Sequence, residues 1–207
     1  MPRRTKEEAE ETRKAILRAS LEIFCEKGYS RTTFDEIAKH INLTKGAIYW
    51  HFRNKADILT EIIRNGFSQT HENLRQKVDT AKGAAAIRDY MHFEARLIVE
   101  HQIYRQLLFF VLFQMEWSEA ILNKVTKEVY EVIQYPLLMI KEALENAVKQ
   151  NEISPDTDID SAAALTLFIW QGIMRNIVKP VAPIPYDKLI NDGYKLIINS
   201  LKDERSE

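Results

Sequence analysis

Apolar residues recur at three- and four-residue spacing along most of this chain, and the rhythm breaks at capping residues, glycines and prolines. Ile16, Leu17, Leu21 and Phe24 share one face of a helix predicted over 5–27, with Gly28 as its stop. Two short helices follow at 34–41 and 45–51, then a long one over 55–82 that ends against Gly83. Further helices are predicted over 84–101, 103–114, 118–150, 158–179 and 186–202. Pro136 falls inside the seventh and predicts a kink or a division near Gln134 and Tyr135. Pro180, Pro183 and Pro185 mark the last connection. No two-residue alternation persists, so the expected fold is all-α with about nine helices.

The segment 32–57 is the most specific. Thr33 can cap the second helix, with Glu36 placed to return a hydrogen bond to the cap's own N–H. Thr44 can cap the third, with Leu43 and Ile48 spaced as a hydrophobic staple, and Asn54 can cap the fourth with Asp57 in its first turn. Ile48 and Phe52 point inward at i, i+4. Lys45, Gly46, Ala47, Tyr49, Trp50 and His51 then face outward or flank the seam. A helix of about two turns is not stable alone. A short capped helix presenting aromatic and basic groups suits a helix-turn-helix whose second helix enters the major groove of DNA.

Composition refines this picture. With 45% hydrophobic and 29% charged residues the chain can bury an ordinary core. The net charge of −1 is uneven: residues 1–56 hold twelve Lys/Arg against eight Asp/Glu, and the remainder seventeen against twenty-two. A basic head on an acidic body suggests that the head meets a polyanion. The single cysteine, Cys25, excludes an intrachain disulfide and reads as a structural thiol. The start of the chain turns acidic where a signal peptide needs an apolar run, and the most apolar stretches, 107–113 and 162–170, are too short to span a membrane. A cytoplasmic protein without membrane association is expected. Asp156 to Asp160 resembles the opening of a calcium loop, but Ser161 and Leu167 stand where glycine and glutamate are required, so Asp158 reads better as a helix cap. His40, His51, His71, His92 and His101 show no metal-binding spacing, and neither a nucleophile elbow nor a phosphate-cradling loop occurs. No enzymatic activity, metal or cofactor is expected.

The run from Thr44 to Phe52 with Lys55 and Asp57, joined upstream by Thr12-Arg13, Ile16-Leu17, Phe24, Gly28-Tyr29, Thr33 and Ile37-Ala38, resembles the TetR family of bacterial repressors. Residues 5–63 are particularly similar to the AcrR-type repressors of multidrug efflux pumps. The resemblance implies a DNA-binding head over 1–54 and an effector-binding and dimerisation body over 55–207, linked by the helix at 55–82. Tyr49, His51 and Lys55 match the family's phosphate-contacting positions, and their donors suit phosphate oxygens. Thr32 and Thr33 can add hydroxyl or backbone contacts. Lys45, with Thr44 and Arg31, is the better candidate for base edges, and Gly46 permits close approach. For Tyr49 and Trp50 the alternative is packing on neighbouring helices; for Lys45 and Lys55 it is a solvated charge. Arg3, Arg4 and Lys6 form either an arm reaching the adjacent groove or a non-contacting end.

One head reads too few base pairs for specificity, so a homodimer on a pseudo-palindromic double-stranded operator is expected. Ala162, Leu165, Ile169 and Ile173, with Ile190, Tyr194, Ile197 and Leu201, are the candidate dimer residues; closing the monomer's own core is the alternative. Aromatic and polar side chains in between are candidates for a cavity accepting an apolar or cationic amphiphile. These are Phe67, His71, Phe93, Glu94, Phe109, Phe113, Gln114, Glu116 and Trp117, followed by Tyr135, Trp170, Gln171 and Met174. Each also suits a plain core. The resemblance implies that an effector in the body shifts the fourth helix and releases the operator. A ligand-independent DNA-binding organiser that recruits partners is the rival reading.

Overall fold

The computed structural model describes residues 5–115 and 127–202, which form nine α-helices and no β-strand among the described residues. They are α1 (Lys6–Lys27), α2 (Phe34–His40), α3 (Lys45–His51), α4 (Lys55–Lys77), α5 (Ala84–Glu100), α6 (Gln102–Phe109), α7 (Lys127–Lys149), α8 (Ile159–Val178) and α9 (Tyr186–Ser200). A 3-10 turn (Thr80–Lys82) precedes α5, and α6 winds on as a π-helical turn (Phe110–Gln114). Arg3, Arg4, Glu116, Trp117 and the opening of the helix expected over 118–150 lie outside the described residues.

Capping side chains set the helix starts. Thr5 and Glu8 form a capping box at α1, and Thr33 and Glu36 form another at α2. Thr44 Oγ1 accepts the Ala47 N–H, Asn54 Oδ1 accepts the Asp57 N–H at 3.0 Å, and Asp158 Oδ1 accepts the Ser161 N–H at 3.2 Å. Each such cap contributes about 1 kcal/mol. α4 ends at Lys77, earlier than its pattern suggests, because Val78 turns into the core and Asp79 caps the 3-10 turn by accepting the Ala81 N–H. Gly83, at φ +60°, then opens α5, and a Cβ there would stand 2.8 Å from Glu152 Oε2, the oxygen that accepts the Ala84 N–H. α7 passes through Pro136 without a break. The buried stripe of Met139, Ile140, Ala143, Leu144 and Ala147 holds its second half in place.

The described residues divide into two compact units, one drawn from 5–67, 106–115 and 127–130, the other from 68–105 and 131–202. The division falls within α4, α6 and α7. Ile16, Phe24, Ile37, Ile48, Ile58 and Ile63 form the core of the first unit. The returning segment completes it: Phe110 stacks on Phe24 at 5.4 Å, and Leu107 fills the space that a side chain at Gly66 would need. In the second unit α5 packs on α8 and α9 around Ile87, Tyr90, Met91, Trp170, Ile190 and Ile198.

Candidate nucleic-acid interface

α3 is held by its Thr44 cap at one end and by buried Ile48 and Phe52 on its inner face, which turns Tyr49 and Trp50 outward at 54% and 72% exposure. The Tyr49 ring leans on Phe34 of α2 at 4.9 Å, and the Trp50 ring meets the edge of His51 at 4.6 Å. Both rings are steadied by neighbours while keeping an open face. Lys45 is exposed and donates to Asp35 Oδ2 on α2 at 2.6 Å, and this hydrogen bond, with the attraction between the two charges, raises the lysine pKa. Gly46 is open except for Thr44 Oγ1, 3.8 Å from where its Cβ would stand, and Ala47 is half-buried.

Lys55 occupies a different environment. Its ammonium donates to the carbonyls of Tyr29 at 2.6 Å and Ser30 at 3.1 Å and lies 4.6 Å from the centre of the Tyr29 ring. Burial lowers its pKa. It therefore ties the start of α4 to the turn after α1, with donor capacity left for a phosphate oxygen. Thr32 is 2% exposed and its hydroxyl donates to the Gly28 carbonyl at 2.9 Å. The hydroxyl contact anticipated for Thr32 is thus engaged inside the fold. Thr33 is exposed, but its hydroxyl both donates to Glu36 Oε2 and accepts the Glu36 N–H. Arg31 is exposed and donates to the Lys27 carbonyl. His51 is half-buried, and its carbonyl accepts from Arg13 at 3.1 Å.

Arg13 was legible in the sequence as part of a motif, without a role. Its guanidinium pairs in bidentate fashion with Glu61 of α4, reaches the His51 carbonyl at the end of α3 and lies 4.5 Å from the centre of the Phe52 ring. One side chain therefore joins α1, α3 and α4. Asp35 was overlooked altogether; its closeness to Lys45 depends on the crossing of α2 and α3, which spacing along the chain does not encode.

The candidate effector residues fall into separate groups. In the first unit Phe109 stacks on Phe113 at 5.4 Å, and Phe67 and Gln114 are half-buried. In the second, buried Glu94 accepts from the Tyr104 hydroxyl at 2.7 Å and from Trp170 Nε1 at 2.9 Å. The Tyr90 hydroxyl is buried beside them with no hydrogen-bond partner among the described residues. Burial, then the Glu94 carboxylate, pushes both tyrosines well above their ordinary pKa. His71 stacks on Tyr135 at 4.3 Å, with Arg75 over the same ring, and burial lowers the histidine to about 4. Phe93 and Met174 are buried and Gln171 is half-buried. Tyr90, one turn before Glu94 on α5, was recoverable from i, i+4 spacing.

Of the candidate dimer residues, Ala162, Ile173, Ile190 and Ile197 are buried within the second unit, and Tyr194 and Leu201 are half-buried. Leu165 and Ile169 are exposed, joined by Phe168 and Leu196, which the sequence reading passed over. Leu165, Phe168 and Ile169 lie at i, i+3, i+4, a signal lost among the many apolar positions of α8. No helix among the described residues is long and apolar enough to cross a membrane.

Residues 16–62 match the family model of bacterial regulatory proteins, tetR family. The regulator TtgR of Pseudomonas putida is 29% identical over 184 residues, covering 84% of each chain. AcrR of Shigella flexneri is 52% identical over 62 residues, which is 30% of this chain and 29% of AcrR. A crystal structure of NalD, the secondary repressor of the MexAB-OprM multidrug efflux pump in Pseudomonas aeruginosa, shares the fold with a TM-score of 0.76 at 24% identity, covering 96% of this chain and all of that one. With its helix-turn-helix capped, its α3 turned outward and its AcrR-like amino-terminal segment, the chain carries over residues 16–62 the domain of the tetR family of bacterial regulatory proteins, and the relatives it resembles, TtgR and AcrR, are transcriptional regulators.

Proposed function

We propose that this regulator is a cytoplasmic repressor that binds a pseudo-palindromic operator as a homodimer and is released by a small apolar or cationic amphiphile. The observation that carries the reading is α3: a two-turn helix fixed by its cap and core, with Lys45, Tyr49 and Trp50 displayed together. Tyr49, Lys55 and His51 supply phosphate donors, Lys45 a base-edge donor, and Gly46 a bare approach. The exposed residues Leu165, Phe168, Ile169 and Leu196 supply an apolar face for a second copy. In the second unit, aromatic rings and the Glu94 carboxylate supply the chemistry that an apolar or cationic ligand needs. α4 carries Lys55 in one unit and His71 in the other, so one continuous helix links DNA-contacting and effector-contacting residues in this reading. Control of a multidrug efflux transporter is the proposed role, supported by the AcrR-like head and by NalD, which represses such a pump.

The test is binding of the purified protein to duplexes from a random-sequence pool, followed by titration of dyes and drugs against the bound complex. Selection of a palindrome and its release by a cationic dye support the reading. A protein that ignores duplexes at low ionic strength removes it, and a dimer that binds DNA but responds to no compound it binds favours a ligand-independent organiser.

A further inference from the structure

We infer that Asp35 and Lys45 work as one base-reading pair, which makes Asp35 a specificity-determining residue of the head. The inference rests on the operator-binding reading. The Lys45 ammonium lies 2.6 Å from Asp35 Oδ2, and both side chains stand about half in water, at 49% and 63% exposure. An ion pair so placed adds little to folding stability. Its position is another matter. The pair sits on the displayed face of the helix-turn-helix, where an added carboxylate opposes binding to any phosphate backbone. The neighbouring Glu36 is already engaged by Lys27 and by the Thr33 cap, so Asp35 is the carboxylate that remains for Lys45.

Base edges offer what phosphates cannot, a donor for Asp35. In the major groove a G·C pair presents the guanine O6 and N7 acceptors beside the cytosine N4 amino donor. An ammonium beside a carboxylate is the complement of that pattern. Lys45 keeps two N–H donors for guanine, and Asp35 accepts from cytosine N4. The two side chains rise from different helices, α2 and α3, whose crossing is set by the Phe34–Tyr49 contact. Away from a G·C pair at that step, Asp35 is repelled and Lys45 stays partly neutralised. Selectivity then comes from a penalty on wrong sequences as well as a gain on the right one.

The experiment selects a duplex from a random-sequence pool with the unsubstituted protein, then measures that duplex and a scrambled one by fluorescence anisotropy. Asp35→Asn and Asp35→Ser are compared with Lys45→Ala, with helix content checked by circular dichroism. Both Asp35 variants are expected to tighten binding to scrambled DNA without tightening the selected duplex, so the specificity ratio falls by roughly tenfold. A base-pair scan is expected to lose preference at the same G·C step in the Asp35 and Lys45 variants. Equal tightening on both duplexes, no change on either, or loss at different steps overturns the inference. If the unsubstituted protein selects no duplex at all, the operator reading itself fails, a result distinct from these.

Discussion

Two lysines ten residues apart carry the same charge to different ends. Lys45 pairs with another exposed residue, whereas Lys55 is half-buried and bound to two backbone carbonyls of its own unit. Lys55→Ala is therefore expected to cost about 1–2 kcal/mol of stability. It should also weaken binding to all duplexes and lower the salt dependence by about one unit. Lys45→Ala is expected to leave the melting temperature unchanged and to relax base preference instead. Thermal melts beside salt titrations decide this, and a Lys55→Ala variant of full stability would show that the carbonyl contacts contribute nothing. His71 makes a separate prediction. Burial, with a smaller contribution from Arg75, holds it at about 4 against an ordinary 6.5, so between those values the unfolded chain takes up a proton that the folded chain refuses. Stability should fall as pH drops through that window, by at most about 3 kcal/mol. His71→Phe keeps a ring against Tyr135 and is expected to flatten the decline in urea unfolding midpoints; an unchanged slope would assign the pH dependence to other groups. The sequence made Lys45, Tyr49 and Lys55 visible as candidates because helical facing follows from spacing. It did not show the environment of Thr32 or the pairing of Asp35, since both depend on where a second segment comes to rest.

At the scale of elements, the helix starts were the most readable feature, because Thr33, Thr44, Asn54 and Asp158 satisfy backbone donors within three residues of themselves. Local chemistry of that kind is written in order along the chain. The end of α4 was not readable in the same way, since Val78 leaves the helix for a core assembled from distant residues. Nor was the passage of α7 through Pro136, which the buried stripe from Met139 to Ala147 sustains. Gly83 gives a test of one junction. Gly83→Ala places a Cβ at positive φ and against the Glu152 carboxylate that caps α5. A loss of about 2 kcal/mol is expected from strain together with the disturbed cap, read from urea unfolding; a neutral substitution would mean that the α5 start relaxes freely. The Arg13–Glu61 pair tests a second junction. Glu61 is nearly buried, so removing either partner strands the other. Arg13→Ala and Glu61→Gln are each expected to destabilise by about 2 kcal/mol and to be clearly non-additive in a double-mutant cycle. Simple additivity would show that Arg13 acts through Phe52 and the His51 carbonyl alone.

For the whole molecule, the division of the chain within α4, and the return of 106–115 to the first unit, follow from contacts between residues far apart in sequence, such as Phe24 with Phe110. Amphipathic rhythm predicts helices but not which of them share a core. The same limit affected α8, where apolar residues nearly surround the helix and the pattern could not separate core from surface. The structure separates them: Ala162, Ala163, Thr166, Trp170 and Ile173 face inward, leaving Leu165, Phe168 and Ile169 in water with Leu196 of α9 also exposed. Single exposed apolar residues are ordinary, but three on one helical stripe suit an interface. If two copies join there, each head acts at the effective concentration set by the other. Breaking the face should then cost far more operator affinity than any one contact in the head. Phe168→Glu is expected to convert a dimer into a monomer in analytical ultracentrifugation, with helix content unchanged because the ring is 62% exposed. Operator affinity should fall by about 100-fold or more, while the weak binding of one head to half-site DNA is retained. A variant that remains dimeric would place the interface elsewhere. A monomer that keeps full operator affinity would leave the face without a role in DNA binding, and the pseudo-palindromic operator would lose its physical basis.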